Sequence, residues 1–267
     1  HIHDYEELKP FIERMMRGEE NVLWNTPVAW FAKSSGTTDK SKFIPVSDES
    51  LKENHYRASK DVLSFYYASH PYSELLTGKG LIIGGSHQIN AFNEEVRYGD
   101  LSAVILQNSP FWANWLRTPD LSIALMDEWE SKIEKLAQST ILENVTSMAG
   151  VPTWLIVLLK RILEITGKSC IREVWPKLEL YMHGGVSFVP YKQQFEKLIG
   201  APVNYLEMYN ASEGFFAGQD DVTKEGMWIM DQGPENYASL IHPQDGKLIR
   251  EFMCEGVRSA SGIAADG

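Results

Sequence analysis

The segment from Leu178 to Gly214 constrains the fold of this chain more than any other. A strand-like run over 178–182 leads into His183-Gly184-Gly185, and an amphipathic helix is predicted from Pro190 to Ile199. A second strand-like run, Val203 to Met208, follows. Strand, helix and strand form a βαβ unit, whose two strands run parallel through a right-handed crossover. The loops after both strands therefore lie at one edge of a parallel sheet, where open α/β sheets bind ligands.

Both loops carry residues that suit a nucleotide. Gly184 and Gly185 present a surface without side chains, on which a flat base or an acyl group can lie. In the second loop, the ring of Tyr209 can stack on a base, Ser212 can donate to a phosphate oxygen, and the Glu213 carboxylate can ligate Mg²⁺. Taken singly, a tight turn would explain the glycines and a solvated loop would explain the glutamate.

A further loop, residues 34–42, is built for contact with phosphate. It reads Ser-Ser-Gly-Thr-Thr-Asp-Lys-Ser-Lys and precedes a strand-like run from Phe43 to Val46. Glycine lets the backbone approach closely, hydroxyl and N–H groups donate to oxygens, and lysine offsets negative charge. The spacing differs from the Walker A loop, in which a Gly-Lys-Ser/Thr run opens a helix. A polar surface turn is the alternative for such a loop on its own.

Composition excludes several classes of partner. The net charge of −11 argues against a nucleic-acid binder, which needs a basic surface. Two cysteines, Cys170 and Cys254, are too few for a disulfide framework and suit a reducing compartment, so a cytoplasmic location is predicted. The longest apolar stretch, Val151 to Leu159, is too short to span a bilayer, which predicts no membrane association.

Helical periodicity marks four further segments. Apolar residues recur at helical spacing from Tyr5 to Met15, which predicts a leading helix within residues 1–18. Asp48 is the expected N-cap of a helix that continues to Tyr66, and 128–139 is predicted to be an exposed helix because of its i, i+4 charges. A helix beginning near Pro152 is expected to end at Gly167.

These motifs together resemble the adenylate-forming enzymes. The loop 34–42, His183-Gly184-Gly185 and the Tyr-x-x-Ser-Glu run 209–213 occur in the order and strand contexts of that superfamily. Asp39 in the first loop, the run Tyr-Asn-Ala-Ser-Glu-Gly and Ile171 to Pro176 look more specifically like the GH3 auxin-responsive family and its bacterial relatives. The implied fold is α/β: the large N-terminal domain of the adenylate-forming fold, with mostly parallel sheets and flanking helices.

The resemblance implies a reaction in two halves. A carboxylic acid and ATP give an acyl-adenylate, and the acyl group then passes to the amine of an amino acid. ATP and Mg²⁺ are the implied cofactors, and a small carboxylic acid and an amino acid are the implied partners. An acyl-CoA ligase with a thiol acceptor and a non-catalytic nucleotide-binding relative are the alternatives.

The same resemblance assigns roles to residues. Lys42 is the implied counter-charge of the phosphates, and Glu213 is the implied metal ligand, so these two are the candidate catalytic residues. The candidate nucleotide-binding residues are Ser34, Ser35, Gly36, Thr37, Thr38, Lys42, Gly184, Gly185, Tyr209, Asn210, Ala211, Ser212 and Glu213.

The acyl pocket is predicted less directly. The regions that line it in relatives correspond here to residues that include Arg117, Val151, His183 and Phe188. Arg117 could pair with a substrate carboxylate, because a guanidinium binds that group through two parallel hydrogen bonds, and a salt bridge is the structural alternative. His183 is expected to be hydrogen-bonded in place, and the tryptophans at 112, 115 and 154 are expected to lie in the core.

The sequence also departs from the family pattern. Relatives carry a Tyr-Arg-x-Gly-Asp element whose aspartate holds the ribose, followed by a small C-terminal domain, and neither is found in these 267 residues. Residues 1–267 are therefore assigned to part of the N-terminal domain, with 228–267 as a poorly matching C-terminal stretch. A fragment of a longer protein and a protein that has lost the second half of the cycle both remain open.

Overall fold

The computed structural model describes residues 3–34, 41–84 and 89–224, and beyond these only the backbone of 228–229, 237–241 and 248–253. Residues 35–40 of the predicted phosphate loop lie outside the described residues. The α-helices are α1 (Tyr5–Met16), α2 (Arg57–Ser69), α3 (Leu101–Gln107), α4 (Leu121–Ala124), α5 (Trp129–Thr140), α6 (Pro152–Thr166) and α7 (Lys192–Ile199). A π-helical turn spans Ser50–Tyr56, and short 3₁₀ helices span Leu75–Thr77, Phe111–Trp115 and Ile171–Glu173.

Within the described residues, the strands form three sheets. They are β1 (Trp30–Ser34), β2 (Lys42–Val46), β3 (Lys79–Ile82), β4 (Asn90–Ala91), β5 (Arg97–Gly99), β6 (Arg117–Thr118), β7 (Val145–Ala149), β8 (Leu180–Gly184), β9 (Asn204–Ala211), β10 (Gly214–Gly218), β11 (Trp228–Ile229), β12 (Tyr237–Ile241) and β13 (Leu248–Met253). The main sheet has the order β11-β10-β9-β8-β7-β3-β6, the smaller one β2-β1-β5-β4, and β12 pairs with β13.

The main sheet confirms the predicted βαβ unit. Strands β6, β3, β7, β8 and β9 are all parallel, and β10 adds an antiparallel strand beside β9. Helix α7 lies between β8 and β9 in the sequence and ends at Gly200, whose φ of 73° closes the helix in the left-handed conformation. The smaller sheet is mixed, because β1 pairs antiparallel with β2 and parallel with β5.

Two apolar layers cover the main sheet. One face packs against α5, α6 and α7 through a cluster that includes Leu81, Met148 and Tyr181. The other face packs against α2 through a cluster that includes Leu180 and Leu206. Because neighbouring residues of a strand alternate between faces, this division assigns every residue of the central strands to one side or the other.

Several local predictions are corrected by the structure. Ser47, and not Asp48, accepts the N–H of Ser50 at the start of the helical segment. The predicted exposed helix, α5, has one buried face, and Lys132 on that face is fully buried, with its ammonium donating to the Gly84 carbonyl at 3.3 Å. Burial lowers the pKa of Lys132.

The prediction for the tryptophans is wrong at two of three positions. Trp112 and Trp115 are exposed on the short 3₁₀ helix before the edge strand β6, where no further strand or helix covers them within the described residues. Trp154, on α6, packs against the core as expected. Aromatic character alone did not distinguish these positions, because burial depends on which elements pack over them.

None of the helices in the described ranges combines the length and the apolar character that a bilayer crossing requires.

Candidate active site

The predicted loop 209–214 is a tight β-hairpin. Strand β9 continues to Ala211, which pairs with Gly214 at the start of β10, so the turn itself consists only of Ser212 and Glu213. Glu213 is exposed at the tip. Tyr209 remains partly exposed, with its ring centroid 5.4 Å from that of Phe216. The hairpin therefore presents a hydroxyl, a carboxylate and an aromatic ring from one rigid support.

The Gly184 loop lies directly beside this hairpin. Gly184, the last residue of β8, is paired with Met208 of β9. The loop after β8 therefore begins beside Tyr209, the next residue of β9. A Cβ atom at Gly184 would be 2.2 Å from the Met208 carbonyl oxygen, which explains the need for glycine there. A Cβ atom at Gly185 would meet only a methyl group of Val151, at 3.8 Å. The structure thus brings Gly184, Gly185 and Tyr209 to one edge, as the sequence order predicts, and Val151 lies beside them.

His183 is buried at the end of β8, but it is not hydrogen-bonded in place as expected. Its ring stacks on Phe188, with centroids 4.2 Å apart, and its Nδ1 has no hydrogen-bond partner within the described structure. Burial lowers the pKa of His183 to about 4, so the ring is neutral at pH 7.

This burial predicts a pH dependence of stability. In the unfolded chain His183 regains its ordinary pKa of 6.5, so between pH 6.5 and 4 the unfolded state binds more protons than the folded state. The free energy of unfolding therefore falls as pH is lowered through this window, by about 3 kcal/mol for this group. Urea unfolding of the protein and of His183→Gln, at several pH values, measures the difference in slope.

If His183→Gln reproduces the pH profile of the unmodified protein, His183 does not carry the effect.

Lys42 begins β2 and is the last residue paired with Ser34 before the phosphate loop. The loop is therefore the connection of a β-hairpin. The Lys42 ammonium lies 5.4 Å from the centroid of the Tyr5 ring, and the Tyr5 hydroxyl accepts the N–H of Phe43 at 2.8 Å. The leading helix thus supports the start of β2 and places an aromatic face against the lysine. Tyr5 was recognised in the sequence only as an apolar helix position.

Arg117 is buried and incompletely paired. One guanidinium nitrogen donates to Asn114, while its Nε and Nη1 have no hydrogen-bond partner within the described structure. Burial lowers the pKa of Arg117, and the charge of Asp120 partly opposes the effect. A buried guanidinium with two unpartnered nitrogen atoms is costly unless something binds it, so this residue is a candidate ligand contact.

The structure does not bring all four acyl candidates together. Arg117 is aligned across the sheet with Leu180, through the paired residues of β3 and β7, and both lie on the α2 side. His183 and Phe188 pack on the α6 and α7 side. Three strand spacings and three residues separate Arg117 from His183, which amounts to roughly 17 Å. Val151, His183 and Phe188 stay near the Gly184 edge, and Arg117 lies apart from them.

Two residues with contacts to the hairpin were missed altogether. Asn54 and His55, in the π-helical turn, hydrogen-bond to Phe215 and Asn210. No sequence pattern could have indicated them, because their partners are 161 and 155 positions away.

Few protein ligands are present for a magnesium ion in the described residues. Among the described residues, no three His, Cys, Asp or Glu side chains form a group that could hold a metal ion. The single exposed carboxylate of Glu213 agrees with the way proteins hold Mg²⁺ together with substrate phosphates, through one or two carboxylates and the phosphate oxygens.

Comparison with solved structures identifies the fold. The acyl acid amido synthetase AtGH3.15 in complex with 2,4-DB matches with a TM-score of 0.71 and 16% identity, over 86% of this chain and 50% of that one. A second structure of the GH3.15 acyl acid amido synthetase matches with a TM-score of 0.62 and 17% identity, over 84% and 49%. A 2-hydroxyisobutyryl-CoA ligase in complex with 2-HIB-AMP and CoA matches at 0.50 and 13%, over 78% and 39%.

The fold is therefore that of the N-terminal domain of adenylate-forming ligases, as the sequence predicted. The chain spans about half the length of the two synthetases. Residues 1–203 match the model of the GH3 family N-terminal domain, and the chain belongs to the GH3 family. The hairpin from Tyr209 to Glu213 lies just beyond that match. A search of curated protein sequences finds no significant match.

Proposed function

We propose that the chain is part of the N-terminal domain of an ATP-dependent acyl acid–amino acid ligase of GH3 type. The observation that carries this proposal is the juxtaposition of the Gly184 loop with the Tyr209–Glu213 hairpin at the carboxyl edge of the parallel strands, in a chain of the GH3 family. That edge is where open α/β sheets bind ligands.

In the first half-reaction, a carboxylate oxygen of the acid attacks the α-phosphorus of ATP, and the bond to pyrophosphate breaks. The protein's part is to hold the two reactants in line and to offset charge on the phosphate oxygens. Tyr209 stacks on adenine, Ser212 donates to the α-phosphate, and Lys42 faces the terminal phosphates beside the loop 34–38. Glu213 would hold Mg²⁺, which would neutralise charge on the phosphates.

In the second half-reaction, the amine of an amino acid attacks the carbonyl carbon of the acyl-adenylate and AMP leaves. The neutral amine is the nucleophile, so the ammonium form must first lose a proton. The GH3 family membership favours this acceptor over a thiol, because two GH3 structures that are similar to this chain are both named acyl acid amido synthetases.

Arg117 is proposed to bind the acyl acid at the end remote from the reacting carboxylate. Its unpartnered Nε and Nη1 atoms support a ligand role. The small residues Gly80, Ser147 and Ala149 share its face of the sheet on β3 and β7, together with the larger Ile82. The separation of roughly 17 Å from His183 excludes direct contact with a carboxylate held there.

Replacing Arg117 by methionine should raise the KM for the acyl acid roughly a hundredfold, the equivalent of two charge-assisted hydrogen bonds. Stability should stay equal or rise, because a buried and poorly paired charge is replaced by an apolar side chain of similar length. Steady-state kinetics and urea unfolding measure the two effects.

Arg172→Met provides the matched control. Arg172 donates to the carbonyls of Pro176 and Pro202, both at 2.8 Å, so its loss should lower stability without changing the KM for the acid. If Arg117→Met instead lowers stability and leaves that KM unchanged, Arg117 is structural.

Carboxylate-dependent exchange between ATP and labelled pyrophosphate, with Mg²⁺, tests the function. A panel of aromatic, aliphatic and amino acids should support exchange with one class of acid. Exchange that requires no acid, or no exchange by the complete natural protein that contains this chain, would contradict the proposal.

A further inference from the structure

The π-helical turn Ser50–Tyr56 is the most unusual local element in the described structure. It follows β2 after Ser47 and passes directly into α2. Turns of this width are rare and are found frequently at functional sites. Leu51 and His55 are its buried residues, so the turn directs a polar ring into the interior.

Asn54 and His55 together hold one rung of the hairpin. The Phe215 N–H donates to Asn54 Oδ1 at 2.6 Å, and Asn54 Nδ2 donates to the Phe215 carbonyl at 3.3 Å. His55 Nδ1 lies 3.0 Å from Asn210 Oδ1. Phe215 and Asn210 are cross-strand partners, and the next pair, Gly214 with Ala211, closes the turn. One residue pair therefore separates the Phe215–Asn210 pair from the turn residues Ser212 and Glu213.

The Asn54 amide binds both backbone groups of Phe215, as a neighbouring strand does in a sheet. Within the described residues, strand β11 pairs with β10 at Ala217 and Gly218. Burial lowers the pKa of His55, which keeps its ring neutral near pH 7, and a proton on Nδ1 then donates to the Asn210 oxygen.

The same short segment begins at the phosphate loop. Lys42 opens β2, β2 ends at Val46, and the turn follows within a few residues. Leu51 of the turn packs in one cluster with Val46 of β2 and Ala32 of β1, which carries the other side of the phosphate loop. The chain from Lys42 to Tyr56 thus has the phosphate loop at one end and the hairpin contacts at the other.

We propose that Asn54 and His55 are positioning residues that hold the Tyr209–Glu213 hairpin in fixed relation to Lys42 and the strand that it opens, so that one segment sets two parts of the nucleotide site. This inference rests on the proposed function, and it adds to it a link between Lys42 and a hairpin that is far away in the sequence. Neither residue touches the substrate; each acts through Phe215 or Asn210.

His55→Leu and His55→Asn in the full chain form the test. The amide of asparagine can occupy the place of Nδ1 and donate to Asn210, whereas leucine cannot. Two measurements are made: hydrogen–deuterium exchange of the peptide covering 205–218 without nucleotide, and equilibrium binding of ATP with Mg²⁺. His55→Leu should speed hairpin exchange and weaken ATP binding, each roughly tenfold, the equivalent of one lost hydrogen bond. His55→Asn should restore both.

Ile162→Ala, which makes a cavity in α6 far from the hairpin, controls for general loss of stability. It should lower the melting temperature and leave ATP affinity unchanged. Asn54→Asp should retain the hydrogen bond from the Phe215 N–H and lose the one to the Phe215 carbonyl. Its rate of hairpin exchange should therefore lie between those of the unmodified protein and His55→Leu.

If hydrogen–deuterium exchange of the hairpin is unchanged in His55→Leu, His55 does not hold the hairpin, whatever the protein binds. Faster exchange with unchanged ATP affinity would refute the positioning role of His55 in the nucleotide site. If the unmodified protein binds no ATP, the proposed function fails, and the exchange measurement still decides whether His55 holds the hairpin.

Discussion

Replacing Glu213 by alanine should lower the rate of carboxylate-dependent ATP–pyrophosphate exchange by roughly a thousandfold, the upper range for loss of one preorganised electrostatic contact. The carboxylate is exposed at the tip of a two-residue turn and makes no hydrogen bond within the described residues, so the core does not depend on it. The melting temperature should stay unchanged. Exchange assays over a range of Mg²⁺ concentrations, together with thermal unfolding, measure both effects.

Asp220→Ala is the matched control for this substitution. Asp220 is another exposed carboxylate, located just after β10. Its replacement removes the same charge as Glu213→Ala, at a position with no proposed metal contact. It should leave the exchange rate within a factor of about two, as expected of a surface substitution. Full activity of Glu213→Ala, or a protein that melts at a much lower temperature, would remove Glu213 from the metal site.

Replacing Gly184 by alanine should destabilise the protein by about 3 kcal/mol or more, because the added methyl group collides with backbone. The new Cβ would be 2.2 Å from the Met208 carbonyl oxygen, and β8 and β9 would have to separate at this point. The separation occurs where the Gly184 loop and the Tyr209 hairpin meet, so nucleotide binding should be lost even in the fraction that folds. Urea unfolding and ATP binding measure the two losses.

Gly167→Ala distinguishes this collision from ordinary backbone strain. Gly167 closes α6 with a φ of 64°, but a Cβ there would have no neighbouring atom of the described residues within 4 Å. Its replacement should cost only about 1 kcal/mol, the penalty of the left-handed conformation. If Gly184→Ala costs no more than Gly167→Ala, the approach of the two strands is looser than the structure indicates.

The parallel βαβ unit and the family were accessible from the sequence, because the patterns that define them are local. The strand-like runs that predict β8 and β9, the helical spacing in α7 and the stop at Gly200 all depend on residues within a few positions of one another. Strand order then places the Gly184 loop and the Tyr209 run at the same edge, and the register confirms that placement.

The tertiary structure decided the features that depend on distant partners. The run after Tyr209 became a hairpin because β10 folds back on β9 and because Asn54 and His55, more than 150 positions earlier, hold it there. Arg117 was grouped with His183 among the acyl-pocket candidates, but it lies on the other face of the sheet, because neighbouring residues of a strand alternate between faces. Local patterns fix elements and their order, whereas burial and side-chain pairing are fixed only when those elements pack.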